Sequence, residues 1–435
     1  MKYIYILLGS ILFFTACEDL DQAPPNIASA NSLTDFDGVL NAAYYYQLGT
    51  VTPMAVMGDF RADNAYMFEA PYDEFDQFDS DLVQMEEQFF SPFYTACYKA
   101  ILSCNIVIEN STSDNEIAEA KFLRALSYFK LVRVFGDVTI NLSSSPSATD
   151  QSILARMPES EVYNTVIIPD LEEAIATLDN SGLSDGKATK IAAQAMLGKV
   201  YVHRGDFSAA EPILANVIND APGAGISLQD DFANIFGFEN DLNSEIIFAT
   251  QVSSSINDEY GFSEFWSWSG GLDTKSLEPL TQDLIDAFDA SPGDLRRAVT
   301  IDEALLRSPK FNQENGPDHD WIEIRLAEVI LLYAEALNEN GKTGEAVTQL
   351  NIVRARAGLS GSNASGQGSI RAAIQDERRL ELAFEGHRWF DLVRTGTVDE
   401  EMGESINPNY YLFPIPDSEI LSSFGVIEQN AGYNQ

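Results

Sequence analysis

Basic residues are scarce in this 435-residue chain: 26 Lys and Arg stand against 67 Asp and Glu, a formal net charge of -41. Such a surface repels nucleic acid and anionic membranes, and anionic polysaccharides too unless a local basic patch receives them. Cysteine is nearly absent, with Cys17, Cys97 and Cys104 alone, so no disulfide framework is implied. Cys97 and Cys104 are seven residues apart in a stretch that reads as helix, which separates them by about 10.5 Å along the axis. A disulfide needs Cα atoms within about 7 Å, so both are expected as buried free thiols. Histidine is equally rare. His203, His319 and His387 have no Cys or Glu partner at metal-ligand spacing. The chain also lacks a Gly-rich phosphate loop, a nucleophile elbow and a zinc-hydrolase motif. Two carboxylates at glycosidase distance are uninformative among 67 acids. No catalytic residue, metal or cofactor is expected. Asp73, Asp76, Asp79 and Asp81 are clustered oxygens of the kind calcium uses, but their spacing matches no EF-hand, and they read as a solvated turn.

Long apolar runs are missing as well, except at the start. Lys2 precedes an apolar stretch from Ile4 to Phe14, an export signal too short to serve comfortably as a permanent membrane span. It ends in Phe14-Thr15-Ala16-Cys17, followed by Glu18-Asp19. This resembles a bacterial lipoprotein box, with residues 1–16 as signal peptide and Cys17 as the lipidated first mature residue. Loss of Lys2 takes the net charge from -41 to -42. Residues 17–30 read as an acidic tether. The acidic pair after Cys17 resembles the surface-export signals of Bacteroidetes lipoproteins, so a lipid-anchored protein on the extracellular side of the outer membrane is expected.

What is present in quantity is apolar side chain, 45% of the chain, enough to exclude disorder. Helical stripes are expected over 33–48, capped by Ser32 or Thr34, then over 82–109, 116–135 and 160–179. Ser160 is the expected cap of the last, and Pro169 a kink inside it. Helical hairpins are expected over 188–219 and 324–355, where Gly198, Ala210 and Ala346 stand at close-crossing positions of a tetratricopeptide-like pattern. The helical scaffold occupies about 82–220 and 322–395, and a variable insertion about 221–320, all within one domain over 31–435. The insertion carries an expected strand at 245–252 and a helix near 282–288. The tail from Asn407 is expected to be extended.

The crowded aromatics Tyr260, Phe262, Phe265, Trp266 and Trp268 lie in the insertion. Sugar rings have apolar faces and polar edges, so flat aromatic platforms with a few hydrogen-bonding groups suit them. Trp266 and Trp268 share a face only if their segment is extended. They bind glycan or pack in a loop. Trp321 either edges the same pocket or seals a helix start. Arg61, Asp63, Asn64 and Tyr66 either form a second ligand lip or cap loops. Glu377 to Arg394 concentrates basic residues among acids and large apolar groups. Arg378, Arg379, Glu381, Glu385, Arg388 and Asp391 are spaced for pairing along one helix, with Trp389 buried. This segment reads as an architectural lock rather than a ligand site.

These stretches together resemble the SusD/RagB family: the lipoprotein box; Ala120–Phe129 with Phe135–Val138; Val162-Tyr163 with Asp170-Leu171; Arg325–Ala336 with Leu350–Arg354; and Glu377–Arg394 with Leu412–Pro416 and Glu419. They run in family order over essentially the whole chain. The resemblance implies a mainly α SusD-like fold of tetratricopeptide-like hairpins with long irregular loop insertions. It also implies a non-catalytic surface protein that captures oligosaccharide or polysaccharide for a SusC-like TonB-dependent transporter. The acidic balance favours a neutral glycan, such as β-glucan. A peptide or other nutrient, or a purely assembling adaptor role, are the alternatives.

Overall fold

The computed structural model describes residues 35–67, 70–147, 151–253, 255, 280–304, 306–311 and 319–434. The export signal, Cys17, the tether, the Ser32 and Thr34 caps and the Tyr260–Trp268 aromatics lie outside the described residues. Helix dominates. Helix α1 (Asp37–Tyr46) lies against α2 (Ser91–Asn110) and α3 (Asp114–Phe135). Ser113 caps α3 through the Glu116 N–H, and Gly136 at φ +71° ends it. Nearly the whole surface of α3 is buried because partners cover it on several sides. It therefore carries no simple apolar stripe, and it holds Arg124, Lys130 and Arg133 inside the protein.

The expected helix over 160–179 is divided. A short turn at Glu159–Val162 runs through a wide π-type turn at Tyr163–Ile167 into α4 (Ile168–Thr177). Pro169 thus stands in the first turn of α4, where a missing N–H leaves no partner wanting. Ser160 is not the cap: Asp137 Oδ1 accepts from the Glu159 N–H at 2.9 Å. Helices α5 (Lys190–His203) and α6 (Phe207–Asp220) form the next pair. A Cβ on Gly198 would collide with Leu214, so only glycine permits this crossing. Beyond α7 (Gln282–Asp289) come α8 (Leu326–Glu339) and α9 (Thr343–Arg356), then α10 (Gln367–Leu382) and α11 (Arg388–Thr395). Pairs α3/α4, α5/α6 and α8/α9 stack in that order, through α4 on α5 and α6 on α8.

Two small sheets punctuate the helices. Strands β1 (Val138–Thr139) and β2 (Arg156–Met157) pair at the ends of the irregular 141–155 segment. Strand β3 (Ile246–Thr250) lies within the range expected from the sequence. Its antiparallel partner is β4 (Trp321–Arg325), with Ile246 opposite Arg325 and Thr250 opposite Trp321. Ile324 and Arg325 are therefore strand, not the start of the hairpin helix. Every residue of both strands is buried, so the alternation of Ile322, Glu323, Ile324 and Arg325 in β4 does not mark a core face and a solvent face.

The Glu377–Arg394 segment is not one helix. It breaks between Leu382 and Arg388, with Phe384 at φ +66° and Gly386 at φ +77°. The buried Asp59 carboxylate holds the break, accepting the Phe384 N–H at 3.0 Å and the Gly386 N–H. A Cβ on Gly58 would collide with the backbone of Gly386, so two glycines let the chains touch. In the tail, Pro416 ends an extended run but then precedes a short helix, Asp417–Ser422; proline is tolerated at a helix start.

Candidate functional site

The break in the Glu377–Arg394 segment turns most of its charges toward other elements, leaving Arg394–Asp391 as a pair along one helix. Arg325, at the end of β4, donates to Glu385 at 2.7 and 2.9 Å, to Glu245 at 2.9 Å and to the Glu381 carboxylate at 2.5 Å. Arg296 bridges Asp294 at 2.7 Å, Glu377 at 2.7 Å and Glu381 at 2.9 Å. Lys310 reaches Glu385 at 2.7 Å, Arg354 reaches Glu377 at 2.8 Å, and Arg356 joins Glu245 to Glu381. The cations Arg296, Lys310, Arg325, Arg354 and Arg356 thus face Glu245, Asp294, Glu377, Glu381 and Glu385, a balanced set in a strongly acidic protein. Burial alone would raise the Glu381 pKa, but Arg356, Arg325 and Arg296 outweigh it and hold the carboxyl well below its usual range. Burial lowers Lys310, against the opposing pull of Glu385.

A second group of pairs continues this lock to the edge of the variable insertion. Arg388 grips Asp63 with two bonds of 2.7 Å and reaches Glu401 at 2.7 Å. Arg379 contacts Asn64 at 2.9 Å and Asp283 at 2.6 Å. Arg378 and Arg394 share Asp391, and Arg394 also clasps Glu335. Burial acts to raise the Asp391 pKa, yet Arg378 and Arg394 prevail and depress it far below the carboxylate norm.

Both ends of the aromatic insertion are fastened here. On the outgoing side, the Val252 N–H donates to Asp320 at 2.8 Å, and the Asp320 N–H to Asp241 at 3.1 Å. On the returning side, Leu280 bridges Ala65, the Thr281 N–H donates to the Asn64 carbonyl at 3.2 Å, and its hydroxyl to the Asp63 carbonyl at 2.6 Å. The segment that receives the returning chain is the one Arg379 and Arg388 hold. A cleft of about 210 Å³ opens between the end of β3 and the tyrosines of α1. A larger one, about 370 Å³, lies between α2 and the tail, with Tyr94, Tyr98, Leu102 and Ile427 in its walls.

The sequence candidates fall into three groups. Tyr260, Phe262, Trp266 and Trp268 lie outside the described residues. Trp321 is 2% exposed, stacked on Phe311 and resting over Gly386; it is a packing residue, not a pocket edge. The lip expected from Arg61, Asp63 and Asn64 is also corrected, because all three are buried. The Arg61 guanidinium sits 4.1 Å from the Phe78 ring centroid and 5.4 Å from that of Trp389, and donates to the Phe75 and Tyr410 carbonyls. Burial lowers its pKa to about 10. Stacking and carbonyls replace the water such a cation loses. Tyr66 alone of that group is at the surface, 45% exposed, beside the Ala65–Leu280 bridge.

Cys97 and Cys104 are buried free thiols, and burial pushes Cys97 up to about 12. Asp76 is engaged by the Met67 N–H at 2.5 Å, while Glu74, Asp79 and Asp81 place carboxylate oxygens within 4.8 Å of one another. Sequence reasoning missed Asp59, Glu245, Arg296 and Lys310. The signal for three of them was the scarcity of bases: a buried cation in so acidic a chain is shared among several carboxylates. Asp59 left no such signal.

The helical stack, the split arginine-rich segment and the insertion between β3 and β4 place this architecture among known folds. The model for "SusD family" matches residues 301–410, and that for "Starch-binding associating with outer membrane" matches 18–202. The chain belongs to the SusD family. Among SusD-like relatives, SusD-like protein P2 of Formosa agariphila is 28% identical, the match covering 99% of this chain and 100% of that protein. A SusD-like protein of Bacteroides ovatus is 26% identical over 90% of this chain and 82% of its own length. A solved laminarin-binding SusD-like protein superposes with a TM-score of 0.71 at 25% identity, covering 92% of this chain and 99% of that one. Surface glycan-binding protein A from Bacteroides fluxus shares the fold at TM-score 0.76 and 22% identity, over 92% of this chain and 99% of its own. SusD-like proteins are non-catalytic binding proteins.

Proposed function

We propose that this SusD-like chain is a surface glycan-binding lipoprotein. Lipid on Cys17 anchors it to the extracellular side of the outer membrane, and it hands neutral oligosaccharide to a SusC-like TonB-dependent transporter. The observation that carries this reading is the likeness to SusD-like protein P2 along 99% of the chain. The laminarin-binding relative supports a β-glucan. The stacked pairs α3/α4, α5/α6 and α8/α9 serve as tetratricopeptide-like units that present a surface to the transporter.

Glycan stacks on Tyr260, Phe262, Trp266 and Trp268, with Tyr66 beside the returning chain. The returning end of that aromatic connection is tied through Asp63 and Asn64 to the buried lock, and the outgoing end is fastened to Asp320, which gives a binding segment a firm base. The test is calorimetric titration with neutral oligosaccharides chosen from a glycan array, using wild type and a Trp266→Ala/Trp268→Ala variant. The variant is expected to unfold at the wild-type urea midpoint and to lose at least about tenfold in affinity. Unchanged affinity removes the tryptophans from the site. Failure of the intact protein to bind any arrayed glycan removes the function.

A further inference from the structure

The described residues include an unassigned cleft whose chemistry suits one sugar ring. It opens where β3 ends, against the outer side of α1, and has a volume of about 210 Å³. Its apolar surfaces are Tyr44, Tyr45 and Phe248, and its polar ones include Asn41, Thr250 and Gln251. No lining residue is charged, although the chain carries 93 charged Asp, Glu, Lys and Arg side chains (26 + 67). Aromatic faces beside amide and hydroxyl edges form the combination that a neutral carbohydrate needs, with C–H faces stacked and O–H groups bonded. Drug-sized ligands occupy pockets of about 300–1,000 Å³. This cleft is smaller, so it takes a terminal ring rather than a whole oligosaccharide.

The walls are fixed before any ligand arrives. The Tyr44 hydroxyl donates to Glu119 at 2.9 Å and accepts the Ala188 N–H at 2.8 Å, so its ring is held at the far end. Phe248 packs edge-on against Phe122, with centroids 4.8 Å apart. The Thr250 hydroxyl donates to Glu323 at 2.7 Å, which leaves its oxygen lone pairs to act as acceptors. Gln251 Nε2 donates to the Asp185 carbonyl at 3.1 Å, which orients its amide. Asn41 and Gln251 are exposed at the rim. Preorganised walls of this kind lower the ordering cost of binding.

We propose that this cleft is a terminal-sugar subsite, in which a neutral hexose ring stacks on Tyr45 and hydrogen-bonds to Asn41, Thr250 and Gln251. The inference rests on the glycan-binding function proposed above and adds a position and a charge preference to it. Gln251 lies one residue before Val252, where the chain is fastened to Asp320, so the cleft stands at the root of the insertion.

The experiment titrates the detergent-solubilised full chain with laminari-oligosaccharides and malto-oligosaccharides of two to eight units, and with oligoalginate as the charged probe. Wild type is compared with Tyr45→Ala, with Asn41→Ala/Gln251→Ala, and with the milder Gln251→Glu. The Ala variants are expected to weaken neutral oligosaccharides about tenfold, the scale of one or two lost polar or stacking contacts. Gln251→Glu keeps the size of the side chain and is expected to weaken the same ligands with an unchanged urea midpoint. Binding by wild type with unchanged affinity in the Asn41/Gln251 and Gln251→Glu variants overturns the subsite and leaves the proposed function standing. A preference of wild type for oligoalginate also overturns the subsite. No binding of any probe by wild type overturns both.

Discussion

Replacing Arg325 by methionine tests whether the buried ion pairs hold the fold. The arginine is 1% exposed and makes four side-chain contacts of 2.5 to 2.9 Å to Glu245, Glu381 and Glu385, plus one of 2.8 Å to the Glu381 carbonyl. Methionine fills much of the same volume but supplies no charge. Three carboxylates then share the remaining cations, Arg296, Lys310 and Arg356. Removing one member of a buried pair costs about 3–5 kcal/mol, because the partner stays desolvated. Since the other cations still neutralise part of the charge, the expected loss is at the low end, about 3 kcal/mol. Urea unfolding followed by tryptophan fluorescence measures it, with Arg371→Met as the control. Arg371 pairs with Glu339 on the surface, at 47% side-chain exposure, and its loss is expected to cost no more than about 1 kcal/mol. If Arg325→Met and Arg371→Met shift the midpoint equally, the buried cluster does not hold the fold. A further Arg325→Lys variant is expected to fall between the two, since lysine keeps the charge but not the fork that spans Glu385.

Trp321→Ala is expected to destabilise by about 3–5 kcal/mol and to leave glycan affinity of the folded fraction unchanged, read by urea unfolding and calorimetry; a loss of affinity at full stability would return Trp321 to the binding site. Gly386→Ala places a Cβ 2.9 Å from Trp321 at φ +77°, and is expected to cost more than the roughly 1 kcal/mol of an unhindered glycine exchange. Burial raises the Asp59 carboxyl to about 7, against the lowering pull of the Gly386 and Phe384 N–H groups. A raised carboxyl contributes stability below its unfolded value, about 4, and that contribution is lost as pH rises through about 7. Between pH 4 and 7 the urea midpoint of wild type should therefore fall relative to that of Asp59→Asn; parallel curves would show that Asp59 keeps an ordinary pKa. Cys97 and Cys104 are expected to resist thiol reagents in the native protein and to react fully in urea, as buried thiols should.

The helices α2, α3, α5, α6, α8 and α9 were legible because runs of helix-favouring residues and turn glycines such as Gly136, Gly205 and Gly341 act within a few residues of the backbone they shape. Strand β3 was legible for the same reason. Strand β4 was not, because Trp321 to Arg325 is buried on both sides and owes its conformation to a partner about seventy residues earlier. The break inside Glu377–Arg394 was hidden for a similar reason: Asp59 and Gly58, more than three hundred residues away, impose it. Spacing arguments assigned the arginines to neighbours three and four positions along; Arg394–Asp391 is such a pair, but Asp63, Asn64, Asp283 and Glu335 come from other elements. Arg61, Asp63 and Asn64 looked like surface chemistry because polar residues usually are. Only tertiary structure shows the rings and guanidinium groups that enclose them.

The β3–β4 hairpin has a consequence for how such proteins change over time. Its two strands are adjacent, yet the chain between Thr250 and Trp321 runs through residues 251–320. The entropic cost of closing a connection grows only with the logarithm of its length, roughly 0.6 kcal/mol for each doubling. Asp294, Arg296 and Lys310 within 251–320 belong to the buried lock, whereas the run 253–279 lies between roots secured at Val252 by Asp320 and at Thr281 by Asp63 and Asn64. Insertions, deletions and wholesale replacement there leave the core pairing intact. On the proposed function, rewriting that stretch would exchange one glycan for another, while the scaffold beneath it is inherited unaltered.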